Sequence, residues 1–304
     1  MTLVDKMSLD LNLPSSFLLK MTRMASHCYK TYTIPKRDSG QRTIHHPSKE
    51  LKAIQRWLLI NIIEQWPVHD AAAAYRRGFG IKHNAARHVK SQYLLRMDLV
   101  DFFPSLTSLD ILKYIDSHSA LFEQWSQPDK ELFVGIVCRH DKLTIGAPTS
   151  PALSNALCFD LDAQLEGLAQ REEVAYSRYA DDLFFSTNRK NVLWEFPTKV
   201  DGILKAIKIP SGLKVNSDKT RHSSKRGRRR VTGITLGSDG TISVGRSIKR
   251  YIRRQIYRYD SLTKEEKAEL SGLVAFAQDI DTEIINSLIL KYGLSLIKQV
   301  RFGK

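Results

Sequence analysis

Three aspartates are the residues in this 304-residue sequence whose type and spacing could do chemistry. Asp98 lies near the end of a β-prone, mostly apolar run, Gln92 to Val100, and Asp181 and Asp182 stand side by side between two more such runs. Like charges held together near a sheet raise the free energy unless they are protonated or neutralised by a cation. Divalent metals are the common solution, and Mg²⁺ suits a few carboxylates working with substrate phosphates. Two such ions roughly 3.5–4 Å apart can activate an attacking hydroxyl and stabilise the leaving oxygen of a phosphoryl displacement. Adjacent aspartates in a turn ordinarily just form the turn. Neither Asp98 nor the pair carries the reading alone; the combination and its order along the chain do.

The charge balance points the same way. Lys and Arg number 47 against 32 Asp and Glu, a net charge of +15 at pH 7. So basic a chain calls for a polyanion or an anionic surface as partner. No apolar run approaches the length of a membrane-spanning helix, and Met1 to Leu13 lacks the basic end and apolar stretch of a secretion signal. Nucleic acid is therefore expected and a membrane is not. Cys28, Cys138 and Cys158 are far apart and odd in number, which suits a reducing compartment, the cytoplasm, without a disulfide framework. Cys138 and His140 are close in sequence, but no second Cys/His pair completes a zinc site.

The acids need elements to hold them. Asp10 to Lys30 reads as helical, with Pro14 near a helix start. Tyr32 to Ile34 and Arg42 to Ile44 read as strands around a basic polar turn, Pro35 to Gln41. Leu51, Ile54, Leu58 and Ile62 are spaced as one buried helix face. Ser150-Pro151 has the Ncap/N1 pattern of a helix start, and Leu153, Leu157, Leu161, Leu165 and Leu168 continue it as one helix. Val174 to Tyr179 and Leu183 to Thr187 flank Ala180-Asp181-Asp182 as a hairpin with acids at its tip. Lys219 to Arg230 is densely cationic; short strands from Gly233 to Val244 and helices from Ser247 follow. Strands and helices mix without regular βαβ alternation, so the expected class is α+β.

Tyr179-Ala180-Asp181-Asp182 between two apolar strands resembles the Tyr-x-Asp-Asp signature of reverse transcriptase palms. Met97-Asp98-Leu99-Val100-Asp101-Phe102-Phe103-Pro104-Ser105 resembles the preceding palm motif, which carries the first metal-binding aspartate. Between them, Gly146-Ala147-Pro148-Thr149-Ser150-Pro151-Ala152-Leu153-Ser154-Asn155 resembles the motif that packs under template and incoming nucleotide. All three occur in the family's order. Asn84-Ala85-Ala86-Arg87-His88 and Val231-Thr232-Gly233 resemble two elements of the retron enzymes, Asn-Ala-x-x-His before the first palm motif and Val-Thr-Gly after the palm. The resemblance covers about Lys36 to Gly233 well and the C-terminal helices loosely.

This resemblance implies a right-hand polymerase: N-terminal helices and fingers over 1–90, a palm of antiparallel sheet and helices with part of the fingers over 91–240, and a helical thumb over 241–304. It implies Asp98, Asp181 and Asp182 as catalytic carboxylates for two Mg²⁺ ions, with the Leu99 carbonyl as a further ligand. Phe103 matches the residue that sits under the sugar and excludes a 2′-hydroxyl; plain core packing is its alternative. Asp101, in the same motif, is expected to be a structural turn acid. Lys36 and Arg42 match fingers contacts to the triphosphate, where a guanidinium offers a bidentate fork, with a solvated hairpin as the alternative. Gly146 falls in the nucleotide-packing motif. Lys219 matches a lysine near the leaving pyrophosphate that could give it a proton. Asn84, His88, Val231, Thr232 and Gly233 are expected on nucleic acid. So are Lys225, Arg226, Arg228, Arg229 and Arg230, as phosphate contacts that read no sequence. One departure is Thr144-Ile145, where many reverse transcriptases have Pro-Gln. Isoleucine cannot make the glutamine's hydrogen bond to the nucleotide, which bears on affinity and fidelity and leaves the metal chemistry intact.

By the same resemblance, a structured non-coding RNA is template and primer, deoxynucleotides are substrates, and msDNA is the product, a DNA joined to RNA through a 2′–5′ branch. A separate effector protein is the expected partner, in antiphage defence. Three rival readings fare worse. A group II intron maturase needs an extension that 304 residues leave no room for. A palm-like RNA-binding scaffold has no use for three intact aspartates. A nucleotide-binding ATPase needs a Gly-x-x-x-x-Gly-Lys-Ser/Thr loop that is missing.

Overall fold

The apolar run that ends near Asp98 becomes a central strand because both of its faces are covered. The computed structural model describes residues 1–35 and 40–303. Among these residues, β1 (Tyr29–Pro35) and β2 (Gln41–Pro47) form an antiparallel hairpin. A four-stranded sheet contains β3 (Tyr93–Leu99), β4 (Ala175–Tyr179), β5 (Asp182–Thr187) and β6 (Val215–Ser224), in the order β4-β5-β3-β6, with every pairing antiparallel. A small third sheet joins β7 (Arg229–Val231), β8 (Ile234–Leu236) and β9 (Ile242–Ser243).

Successive side chains of β3 point to opposite faces of the sheet. Leu95, Met97 and Leu99 enter the larger apolar core, to which helices Lys49–Asn61, Gln127–Val137 and Phe159–Arg171 bring Leu58, Phe133 and Leu161. Leu94 enters a second core with Ala85, Phe184, Val231 and the apolar faces of four helices, Arg246–Tyr257, Lys264–Ile280, Glu283–Tyr292 and Leu294–Phe302. Burying one such leucine contributes about 1.5–3 kcal/mol, so the register of β3 is strongly specified. That register puts Arg96 and Asp98 on the second face.

Strands β1 to β5, the 49–61 helix and the α+β class follow the sequence expectations; β6, which runs into the basic stretch, has no counterpart among the expected strands, and three further details differ. Asp10 to Lys30 is not one helix: the helix Leu3–Leu11 stops at Asn12, which caps it in the left-handed conformation, and Ser15–Met24 starts a new one after Pro14. Lys30 already belongs to β1. The leucine stripe from Leu153 to Leu168 spans two helices, Ser150–Leu157 and Phe159–Arg171, with Cys158 outside helical geometry between them. Thr149, not Ser150, is the residue before the first of these; Ser150 and Pro151 lie in its first turn, where a missing N–H costs nothing.

No helix among the described residues is long and apolar enough to cross a membrane. All three cysteines are free, Cys138 and Cys158 buried as small apolar fillers.

Candidate active site

Strand pairing brings the three aspartates together. In the β3–β5 ladder Asp98 faces Asp182 directly, and the Leu99 N–H donates to the Asp181 carbonyl at 2.9 Å. Ala180 and Asp181 make a two-residue turn between β4 and β5, with Ala180 in the left-handed region at φ 57°. For a residue with a Cβ that conformation costs about 1–2 kcal/mol, strain held at the tip that presents the acids. On the other side of β3, Arg96 pairs with Arg221 but Asp98 pairs with Asn216, so residues 217–220 bulge out of β6. The bulge sets Lys219 over Asp98, with Nζ 2.9 and 3.2 Å from the two carboxylate oxygens. Arg96 grips Asp182, donating from Nε and Nη2 at 3.0 and 3.2 Å.

These cations do not fully offset the burial of the acids. Burial pushes the Asp182 carboxyl up to about 6 against the opposing pull of Arg96, with Asp181 and Asp98 adding to the rise. Burial, with the charge of Asp98, likewise raises Asp181, while Arg42 and Lys219 work against it. Arg42, opposite Ile34 in the β1–β2 hairpin, is thus near enough to act on the acids electrostatically. Lys36 lies outside the described residues. Phe103 is half-buried beside Tyr75, ring centroids 6.2 Å apart. Tyr75 in turn feels the charge of Asp181, so the two rings border the acids. Gly146 has φ +114°, and a Cβ there would stand 2.5 Å from the His45 carbonyl oxygen. Packing against β2 is therefore reason enough for glycine. Next to it, the Ile145 carbonyl accepts the His45 N–H at 2.8 Å, so this segment braces the hairpin through its backbone. Asp101 is exposed at φ 43°, its carbonyl accepting the Ser105 N–H at 2.9 Å, as suits a turn former.

A second group of residues, missed in the sequence, holds the acidic hairpin in place. Arg178 is fully buried two positions before Ala180 and bonds Asp162 of the 159–171 helix, from Nε at 2.8 Å and Nη2 at 2.6 Å. Its Nη1 donates to the Ala180 carbonyl at 3.3 Å, and the Tyr176 hydroxyl donates to Asp162 at 2.8 Å. The Arg178 backbone exchanges hydrogen bonds with Ala71 and Ala73, both 2.8 Å, so the buried Ala71 to Ala74 run extends the edge of β4 and leads into Tyr75. Asn155, in the motif between the acids, donates to the Ala74 carbonyl at 2.8 Å.

A family model described as reverse transcriptase (RNA-dependent DNA polymerase) matches residues 34–236. The Escherichia coli retron Ec83 reverse transcriptase is 35% identical over 301 residues, covering 95% of this chain and 94% of that protein. The chain belongs to the retron reverse transcriptases. A second relative, the Escherichia coli retron Ec86 reverse transcriptase, is 31% identical over 90% of this chain and 85% of its own. Among solved structures, telomerase from Candida albicans in complex with a fragment of telomeric RNA superposes with a TM-score of 0.52 at 12% identity, covering 93% of this chain and 62% of that one. That likeness concerns the fold, an α+β polymerase. The enzyme is an RNA-directed DNA polymerase.

Two of this reverse transcriptase's retron-type elements turn out to face its own interior. Asn84, His88, Arg229 and Val231, expected on nucleic acid, are buried to within 1%. His88, in the helix Ile81–His88, lies 2.7 Å from the Ser177 hydroxyl of β4 and 2.8 Å from the Ser186 hydroxyl of β5. Ser177 donates to the Asn84 side-chain carbonyl, so His88 Nε2 carries the proton that bonds the Ser177 oxygen. Arg229 donates to the carbonyls of Val89 and Ser91 just past that helix and, at 2.8 Å, to Gly237. The Thr232 hydroxyl reaches the Ile81 carbonyl at the other end, at 3.4 Å. Thr232-Gly233, both at positive φ, form the tight turn between β7 and β8. The two elements therefore clamp one helix between the palm sheet and the β7–β9 sheet, and the correction for these four residues is from RNA contact to packing. Lys225, Arg226, Arg228, Arg230 and Gly233 remain at the surface.

Burial lowers the His88 pKa from 6.5 to about 3, with Arg87 adding to the drop. The folded enzyme thus refuses a proton that the unfolded chain takes. Stability from this group is complete above pH 6.5 and is lost as pH falls toward 3, by up to about 1.4 kcal/mol per pH unit. Denaturant unfolding between pH 7 and 5 should show this slope in the wild type and a shallower one in His88→Gln. Equal slopes would place the proton uptake elsewhere.

Proposed function

We propose that this enzyme copies a structured non-coding RNA into branched msDNA by nucleotidyl transfer at Asp98, Asp181 and Asp182. The observation that carries the site is the direct pairing of Asp98 with Asp182, with Asp181 in the adjoining turn. Among the described residues no three His, Cys, Asp or Glu side chains already stand as a metal cage. The donor set nevertheless fits Mg²⁺: hard carboxylate oxygens, largely buried, whose charge Lys219 and Arg96 offset only in part. The Lys219 side chain is 58% exposed, so it has room to leave Asp98. Asp98, Asp181, Asp182 and the Leu99 carbonyl would hold two ions, which when bound activate the primer hydroxyl and neutralise charge on the leaving phosphates.

The remaining steps belong to the chain's own residues. Arg42, with Lys36, takes triphosphate oxygens from the fingers side. Lys219, once off Asp98, gives its proton to the leaving pyrophosphate. Phe103, braced by Tyr75, walls the sugar and excludes a 2′-hydroxyl, and Gly146 lets the loop beneath the nucleotide approach β2. We assign fingers to 1–90, palm to 91–240 and thumb to 241–304. Lys225, Arg226, Arg228, Arg230 and the Thr232-Gly233 turn contact RNA. A cytoplasmic location and a separate effector protein in antiphage defence complete the reading, on the strength of the retron relatives and the motifs.

The test is the nucleic acid that copurifies, sequenced with and without a debranching treatment. A DNA whose 5′ end separates from RNA only after debranching is expected. Linear product alone would contradict the msDNA assignment.

A further inference from the structure

An indole held in water keeps one apolar face open for a planar ligand. Trp194 is such a residue, 65% exposed in the short turn Val192–Trp194 that follows β5. One side of it stacks on His222 of β6, ring centroids 4.2 Å apart and planes 24° from parallel. Burial lowers the His222 pKa, so at neutral pH this is a pair of uncharged rings. The pair walls a cleft of about 340 Å³ that is completed by Tyr93, Leu94, Lys190 and Ser223.

Positive charge converges on this cleft. Lys190 lines it, and the exposed Lys225 and Arg226 follow directly on its lining residue Ser224. The Lys225 N–H donates to the Gln92 carbonyl at 2.9 Å, and the Gln92 N–H donates to the Asn188 side chain at 2.9 Å, which fastens the two basic segments side by side. Arg189 also lines the cleft but is shared with the Glu172 carbonyl and, at 3.8 Å, with Glu173.

The cleft is not the catalytic one. His222 pairs with Leu95, whose side chain points into the larger core, so His222 and Trp194 lie on the sheet face opposite Asp98. Tyr93 is also five residues back along β3 from Asp98, about 17 Å at the rise of a strand. A nucleotide here cannot be the one being copied.

We propose that this cleft docks an unpaired nucleotide of the bound RNA, its base stacked on Trp194 and its flanking phosphates on Lys190 and Lys225. The proposal rests on RNA being the enzyme's template and concerns a stretch of it outside the copied region. Stacking on an aromatic ring tolerates any base but needs an exposed base face, which a duplex withholds. A protein partner could cover the indole too, but it would have no need of the surrounding cations.

Tryptophan fluorescence of the full chain reads this contact, because Trp57 and Trp66 are buried and Trp125 half-buried. An unstructured RNA of about ten nucleotides, within the length one such site accommodates, should quench it, and a duplex RNA of equal length should not. The quenching should vanish in Trp194→Phe. With the catalytic cleft filled by a primer–template, Trp194→Ala should weaken binding of the labelled oligomer about tenfold, the scale of one stacked base. Lys190→Gln with Lys225→Gln should flatten the salt dependence. Primer extension on a plain RNA template should stay at the wild-type rate in Trp194→Phe and Trp194→Ala; a wild-type enzyme unable to extend it would instead refute the polymerase site itself. Quenching that persists in Trp194→Phe, or oligomer binding unchanged in Trp194→Ala, would overturn the proposal. A protein captured through Trp194 with RNA binding unaffected would also overturn it.

Discussion

Asp181→Asn combined with Asp182→Asn should abolish RNA-templated DNA synthesis, a loss on the order of 10³-fold or more, while RNA binding stays near wild type. The geometry separates the two effects. Both acids sit in and beside the turn that faces Asp98, whereas the exposed cations at 225, 226, 228 and 230 lie beyond the far end of β6. Folding should survive, because burial already pushes both carboxyls up and an amide carries no charge to desolvate. The double variant loses the charge on its bonds to Arg96, an exposed partner that water can serve. Primer extension, filter binding and thermal melting on the same preparation check all three expectations. Extension at the wild-type rate would remove both acids from the chemistry.

Asp162→Leu should lower stability by about 3–5 kcal/mol, the largest effect expected from any single change outside the acids. Both partners of the Asp162–Arg178 pair are completely buried, so the substitution leaves a guanidinium charge in the core without a carboxylate. Replacing both, with Asp162→Leu and Arg178→Met, should recover most of the stability, since two apolar side chains avoid the desolvation that the ions incur. Activity should not recover with it. Arg178 also holds the Ala180 carbonyl, and without that bond the strained turn is free to relax and carry Asp181 away from Asp98. Denaturant midpoints and primer extension on the two variants separate these effects. A double variant as active as wild type would show that the pair only packs.

The three aspartates were legible because their signal is local: acids at the ends of β-prone runs, in a fixed order. Strands β3, β4 and β5 of the sheet that joins them were legible for the same reason, since β-prone apolar runs mark strands, whereas the polar β6 carries no such run and was not legible. The Asp162–Arg178 pair was not. Its halves come from a helix and a strand 16 residues apart, and the one clue was a charge set inside each apolar pattern, beside Leu161 and between Ser177 and Tyr179. Asn84, His88 and Arg229 misled in the opposite sense. Polar and cationic types suggest a surface, and only the tertiary fold reveals serines and helix-end carbonyls waiting for them. The break at Cys158 was hidden because the leucine spacing runs through it unchanged.

The most direct measurement of the central claim is deoxynucleotide incorporation by the purified wild-type chain on a defined RNA template, titrated with Mg²⁺ after treatment with EDTA. The carboxylate site predicts no incorporation in EDTA, recovery as Mg²⁺ is added, and no recovery at any Mg²⁺ concentration in the Asp181→Asn, Asp182→Asn variant. Incorporation that continues in EDTA, or that Mg²⁺ restores equally to the variant, would contradict it.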